Sequence, residues 1–185
     1  MRVIAGSAGG IPLRSSSHDF RPTMDLVRGA IFSALGDLVI GAHVLDLFAG
    51  SGAYGIEALS RGAAEAVFVD NHLRSIEAIR HNLARAKLDG KVVRDDVFRF
   101  LQKCKTSFRL VFADPPYAKQ VKDRNFAEEL LDREVLVAAV EPAGVLIIER
   151  SSAKGEIASR FWEVTRQKKY GATEVLFCVH KESLG

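Results

Sequence analysis

The sequence predicts an α/β fold built on a mostly parallel, doubly wound sheet. Two observations carry this. From residue 42, short apolar runs alternate with helix-like segments, and right-handed crossovers turn such βα units into a parallel sheet. The last segments read instead as two strands joined by Tyr170-Gly171-Ala172, which adds an antiparallel hairpin at one edge.

The elements follow in order. Arg2-Val3-Ile4-Ala5 and Ile11-Pro12-Leu13-Arg14 flank Gly6-Ser7-Ala8-Gly9-Gly10, predicting a β-hairpin with a glycine-rich turn. Ser15-Ser16-Ser17-His18 reads as loop. A helix starts at Thr23, a good N-cap, aligns Val27, Ala30, Ile31, Ala34 and Leu35 on one face, and stops at Gly36. Strands are predicted at His43–Phe48, Ala66–Asp70, Lys91–Arg94, Leu110–Ala113 and Gly144–Glu149. The helices after them are Tyr54–Ser60, Ser75–Lys87, Val97–Lys103, Asn125–Val140 and a weak one near Ala153–Phe161. Glu163–Lys169 and Thr173–His180 form the closing hairpin.

The 185 residues are 48% hydrophobic and 26% charged, which supports one domain with a sizeable core. A net charge of +3 is compatible with a polyanionic partner without requiring one. The start Met1–Gly6 has no sustained apolar region of the signal-peptide kind, and no window approaches a membrane span. Cys104 and Cys178 lack metal-ligand spacing and read as two reduced thiols of a cytosolic protein. No metal-binding pattern and no nucleophile–base pair stand out, since His18, His43, His72, His81 and His180 are scattered.

Chemistry gathers at the strand ends. Asp46-Leu47-Phe48-Ala49-Gly50-Ser51-Gly52-Ala53-Tyr54-Gly55 closes the first strand with a glycine loop, where Gly50 and Gly52 allow a tight turn and close approach of a ligand. With Gly55 the loop Gly50-Ser51-Gly52-Ala53-Tyr54-Gly55 has the glycine spacing of a dinucleotide fingerprint, but the acidic residue at the strand end points away from a phosphate. Asp46 repels a diphosphate but suits a cationic ligand with an amino group, as S-adenosylmethionine is. Asp70 ends the second strand about 20 residues on, where a carboxylate accepts ribose hydroxyls or caps the next helix. Asp95-Asp96 ends the third strand, with one carboxylate suited to an adenine amino group and the other to a cap. The candidate cofactor residues are Asp46, Phe48, Gly50, Gly52, Asp70, Asp96 and Val97.

The fourth strand runs into Asp114-Pro115-Pro116-Tyr117. Two prolines cannot continue a sheet, because neither has an N–H and each locks φ. The strand end therefore presents a carboxylate, a free carbonyl and an aromatic ring. Asp114 and the Pro115 carbonyl can each accept one N–H of a planar amine while Tyr117 stacks on its ring. That arrangement suits methyl transfer to nitrogen, where orientation and electrostatics do most of the work. Asp114, Pro115, Pro116 and Tyr117 are the candidate catalytic residues. Arg2, Arg14, Arg21 and Arg28 surround the N-terminal segment, and Arg166, Lys168 and Lys169 precede Tyr170. These are candidate phosphate contacts or ordinary solvated charges.

Arg21-Pro22-Thr23-Met24-Asp25-Leu26-Val27-Arg28, Asp46–Gly52, Glu57-Ala58-Leu59-Ser60-Arg61-Gly62-Ala63 and Asp114–Tyr117 together resemble the bacterial 16S rRNA guanine-N2 methyltransferases of the small subunit, the guanine-966 enzymes. The resemblance runs from Arg2-Val3-Ile4-Ala5-Gly6 to Tyr170-Gly171. Gly29 departs from it, at a position where an acidic residue is expected. The resemblance implies a Rossmann-like class I methyltransferase with a seven-stranded sheet over residues 23–185. It implies an RNA-contacting arm over residues 1–22, with Arg2, Arg14, Arg21, Arg28 and Tyr170 toward RNA. It also implies S-adenosyl-L-methionine as cofactor and 16S rRNA in the 30S subunit or its assembly intermediate as substrate. A cytoplasmic monomer is the default for such an enzyme. Residue chemistry alone leaves adenine-N6 methylation of DNA and N5 methylation of a protein glutamine open, because each presents a planar NH₂.

Overall fold

The structure is a computed structural model describing residues 1–15, 23–116, 124–152 and 159–181. Among the described residues seven strands form one mixed sheet; counted along the chain they lie in the order third, second, first, fourth, fifth, seventh, sixth, with the closing pair antiparallel as expected. The chain divides into two compact units, Met1–Val97 and Phe98–Gly185.

The first unit contains α1 (Thr23–Leu35), a 3-10 turn (Gly36–Val39), β1 (His43–Leu47), α2 (Ala53–Ser60), β2 (Glu65–Asp70), α3 (Leu73–Ala86) and β3 (Lys91–Arg94). β1 and β2 pair in parallel with Asp46 beside Phe68, and β2 and β3 pair with Asp70 beside Arg94. Val44, Leu45, Leu47, Phe68 and Val69 are fully buried between the covering helices. A Cβ on Gly55 would overlap the Phe68 ring, so only glycine lets α2 lie this close to β2. Gly55 is the third glycine of the G-x-G-x-x-G spacing and does that fingerprint's packing job.

The N-terminal segment is a hairpin of minimal length. It carries one antiparallel bridge, Arg2 to Pro12, and the Val3 N–H donates to the Ile11 carbonyl at 2.9 Å while the Gly10 N–H donates to the Val3 carbonyl at 2.8 Å. It lies against α2. The Ile4 and Ala5 N–H groups donate to the two carboxylate oxygens of Glu57, at 2.6 and 3.1 Å. The Ser7 N–H donates to the Ser60 carbonyl at 2.7 Å and the Ala8 N–H to Ser60 Oγ at 2.9 Å. Gly6 holds φ +84°, and a Cβ there would overlap the Ser60 carbonyl. Glu57 itself has no exposed surface and also receives Arg61 Nε at 2.6 Å.

Arg28 departs from its expected place on an RNA face. It is 2% exposed, its Nη2 donates to the Arg2 carbonyl and to Asp25, and its Nε lies 3.8 Å from Glu57. A guanidinium so enclosed supports the arm and is not available to a phosphate. Gly29 beside it sits under the Ile4 side chain, and a Cβ there would reach ordinary contact at 3.9 Å.

α4 (Val97–Lys103) begins at the division between the units. The second unit holds β4 (Phe108–Ala113), α5 (Phe126–Leu131), α6 (Glu134–Ala138), β5 (Val140–Ser151), β6 (Trp162–Tyr170) and β7 (Thr173–His180). The single helix expected over Asn125–Val140 is two short ones. Arg133 is extended at φ −97°, ψ 120°, and Val140 already belongs to β5. β-branched Val140 and the following Pro142 favour extended chain over helix. β5 starts early because its pairing with β4 carries a register shift between Phe108 and Leu110. In β5 and β7, Arg150 faces Glu174 in register, and its Nε and Nη2 lie 2.7 and 2.6 Å from one Glu174 oxygen, fully buried. The weak helix expected near Ala153–Phe161 falls mostly outside the described residues, and Trp162 at its end begins β6. Cys178 is buried and Cys104 half-buried, both as free thiols.

Replacing Glu57 with alanine leaves the Ile4 and Ala5 N–H groups and two guanidinium groups without their buried acceptor. The variant is expected to lose about 3–5 kcal/mol of stability by urea unfolding. Gly29→Ala, in an open helical site, is expected to gain about 0.5–1 kcal/mol in the same measurement.

Candidate functional site

In the first unit the site grows from the end of β1. Phe48 follows at φ +54°, a left-handed conformation rare for an aromatic residue, and Gly50 and Gly52 continue the turn at +56° and +76°. Nothing in the sequence marked Phe48 as strained. Asp70, 6% exposed at the end of β2, fixes this loop: Oδ2 accepts the Gly50 N–H and Oδ1 the His72 N–H, each at 2.9 Å. The loop and the start of α3 are thus tied to one carboxylate. Asp70 serves as a backbone clamp, and each oxygen keeps a lone pair for a ligand hydroxyl.

Asp46 is 2% exposed and accepts the Gly55 N–H at 2.9 Å, in the first turn of α2. The helix is capped from the preceding strand rather than by its own N-cap residue, Gly52. Burial pushes the Asp46 carboxyl from 3.8 up to about 8, the Asp70 charge adds to the rise, and the Gly55 N–H and Arg28 oppose it. After β3, the Asp95 carboxylate accepts the Asp96 N–H at 2.8 Å while its own N–H donates to the Asp70 carbonyl at 3.2 Å. Asp96 is half-buried beside Val97, which is 3% exposed and opens α4.

Asp46, Asp70 and Asp96 therefore sit at the carboxyl ends of three neighbouring parallel strands, around a loop whose glycines admit close backbone approach. This donor set fits a nucleoside carrying hydroxyls, an amino group and a positive charge. A pyrophosphate would meet like charge.

In the second unit, β4 ends at Ala113. Asp114 is half-buried, Pro115 buried and Pro116 exposed, while Tyr117 lies outside the described residues. β4 and β5 run parallel with Ala113 beside Ile148, so the tetrapeptide leaves at a carboxyl strand end as expected. Tyr170 is half-buried at the end of β6, and Arg166, Lys168 and Lys169 are exposed along that strand. Arg2 and Arg14 are exposed on the N-terminal segment, and Arg21 lies outside the described residues. Glu57, Ser60 and Asn82 were not singled out by sequence reasoning for any role. The motif around Glu57 and Ser60 was visible, but a polar residue on a helix gives no sign that it faces inward.

The fold and this acidic, glycine-rich strand-end loop define the class I S-adenosylmethionine-dependent methyltransferases. Residues 1–179 match the family described as Conserved hypothetical protein 95. The ribosomal RNA small subunit methyltransferase D of Escherichia coli is 32% identical over 177 residues, 88% of this chain and 89% of its own length. YlbH of Bacillus subtilis is 44% identical over 126 residues, 65% of this chain and 68% of its own. Among solved structures, yhhF of Escherichia coli superposes with a TM-score of 0.83 at 29% identity, covering 97% of both chains. A 16S rRNA N2 methyltransferase of Thermus thermophilus, in complex with AdoMet and guanosine, shares the fold at a TM-score of 0.72 and 23% identity, over 90% of this chain and 45% of its own. The chain belongs to the Conserved hypothetical protein 95 family and to the small-subunit rRNA methyltransferase D type within it.

Asp46 gives this site a pH signature. Between 3.8 and about 8 the folded protein retains a proton on Asp46 that the unfolded chain has lost, so stability falls as pH rises through that window, by up to about 1.4 kcal/mol per unit. Asp46→Asn keeps an acceptor for Gly55 and removes the ionisation. Its urea midpoint is expected to gain on the parent's between about pH 5 and pH 8. Parallel midpoints would contradict a buried, proton-holding Asp46.

Proposed function

We propose that this chain transfers a methyl group from S-adenosyl-L-methionine to the exocyclic N2 amine of a guanine in 16S rRNA, the position that the guanine-966 enzymes modify. The observation that carries the reading is the end of β4, where a half-buried carboxylate is followed by a buried proline in a chain that can no longer donate to a sheet. The names of the relatives, rRNA methyltransferases of the small subunit, support the substrate class.

Bound S-adenosylmethionine supplies an electrophilic methyl on a sulfonium. Asp70 would hold its ribose hydroxyls, Asp46 its cationic amino group and Asp96 its adenine amine, with Phe48, Gly50, Gly52 and Val97 shaping the cradle. Asp114 and the Pro115 carbonyl accept the two N–H bonds of the guanine amine and hold it in the plane they define. Tyr117 stacks on the base, and Pro116 fixes the turn that presents it. These acceptors favour a pyramidal nitrogen, whose lone pair is then free of the ring. The Asp114 carboxylate would take up the proton that the nitrogen sheds when it is methylated. Arg2, Arg14, Arg21 and Tyr170 supply contacts to the RNA, presented as the 30S subunit or its assembly intermediate, to a cytoplasmic monomer.

Asp114→Ala is expected to lose turnover while S-adenosylmethionine affinity stays within about tenfold of the parent by calorimetry, because the residue meets the acceptor rather than the donor. Normal turnover would remove Asp114 from the mechanism. The reading as a whole is tested by nucleoside mass spectrometry after reaction with labelled cofactor. N2-methylguanosine in 16S RNA from undermethylated 30S particles is the expected product. N6-methyladenine in plasmid DNA, with RNA unmodified, would overturn it.

A further inference from the structure

One buried amide joins two parts of the first unit to which the proposed function gives separate tasks. Asn82, on α3, has no exposed surface. Its Oδ1 accepts the Arg14 N–H at 2.8 Å, and its Nδ2 donates to the Arg14 carbonyl at 2.9 Å. The same Nδ2 donates to the Ser51 carbonyl, also at 2.9 Å. Arg14 lies at the end of the N-terminal hairpin, and Ser51 is the central residue of the glycine loop. Both amide hydrogens and one oxygen lone pair are thus committed, and one side chain of α3 holds two segments that lie far apart in the sequence.

Ser51 stands between Gly50 and Gly52, both at positive φ. The peptide that carries the Ser51 carbonyl is held from both sides: its Gly52 N–H donates to the Ala49 carbonyl at 2.6 Å, and Asn82 holds its oxygen. A ligand that bears on the glycine loop therefore bears on the Asn82 amide, and through it on the backbone at Arg14. We propose that Asn82 is a positioning residue that couples the cofactor loop to the RNA arm, so that cofactor and RNA each raise the other's affinity. The proposal rests on the reading above, in which the loop takes the methyl donor and the arm takes RNA. Coupling of this kind is reciprocal by thermodynamic necessity.

The experiment measures the Kd of a 16S RNA fragment with and without saturating S-adenosylhomocysteine. Asn82→Asp is the main variant, because it keeps the acceptor for the Arg14 N–H and loses both donated bonds. Ser60→Ala is the control, because Ser60 Oγ bonds the Ala5 carbonyl and the Ala8 N–H and so touches the arm alone. In the parent, S-adenosylhomocysteine is expected to tighten RNA binding by about five- to tenfold, within the usual range of coupling. Ser60→Ala is expected to weaken RNA binding and keep that ratio. Asn82→Asp is expected to bring the ratio to one and to weaken S-adenosylhomocysteine binding several-fold. Asn82→Ser, too short to span both carbonyls, takes its place if the aspartate variant does not fold. A parent ratio of one, or an undiminished ratio in the Asn82 variants, would overturn the coupling. Loss of the ratio in Ser60→Ala as well would show general loosening rather than a bridge. Failure of the parent to bind S-adenosylhomocysteine or RNA at all would sink the functional reading instead.

Discussion

A carboxylate with no exposed surface decides where the N-terminal arm lies. Glu57 sits in α2, and its two oxygens take the backbone N–H groups of Ile4 and Ala5 together with the Arg61 guanidinium. Burying such a charge is costly unless its lone pairs are filled. Here they are filled mainly by the arm itself, so the arm cannot leave without exposing an unsatisfied carboxylate in the core. Arg28 closes the arrangement from α1, holding the Arg2 carbonyl and Asp25. Ser60, one turn further along α2, binds the arm's glycine turn. An arm that is short on strand pairing is therefore ordered by side chains of the helix beneath it.

The same helix carries the glycine loop at its other end. Gly55 brings α2 against Phe68, and its N–H is received by Asp46 from the end of β1. The position of the loop and the position of the arm are consequently set by one rigid element eight residues long. Asp46 and Asp70 both act on backbone N–H groups in and around the loop. Burial keeps a proton on Asp46, and a cationic ligand placed there would favour its release and offset the charge that then lies beside Asp70, which is the physical reason for a charged donor to suit this loop.

The sheet was legible because its signals are local and redundant. β3, α4 and β7 were anticipated to the residue, since each is bounded by glycine, aspartate or a turn. The division of Asn125–Val140 into two helices was not, because the break at Arg133 follows from the early start of β5 and its bulge, a tertiary effect. At the site, the acidic strand ends were readable from pattern. Their dual role was not: Asp70 as a clamp on Gly50, and Asp46 as a cap on α2, depend on where the loop folds. Arg28 shows the same limit from the other side. A basic residue near an arm reads as a phosphate contact until its burial and its carbonyl partner are known. Asn82 gave no signal at all, because an asparagine on an amphipathic helix is legible as inward-facing only from its neighbours.

In the proposed function the loop between β1 and α2, held by Asp46 and Asp70, receives the methyl donor. Hydrogen exchange read by mass spectrometry, with and without S-adenosylhomocysteine, tests it most directly. Slowed exchange concentrated over residues 46–56 and 70–76 is the predicted result. Unchanged exchange across both segments at a saturating ligand concentration would contradict it.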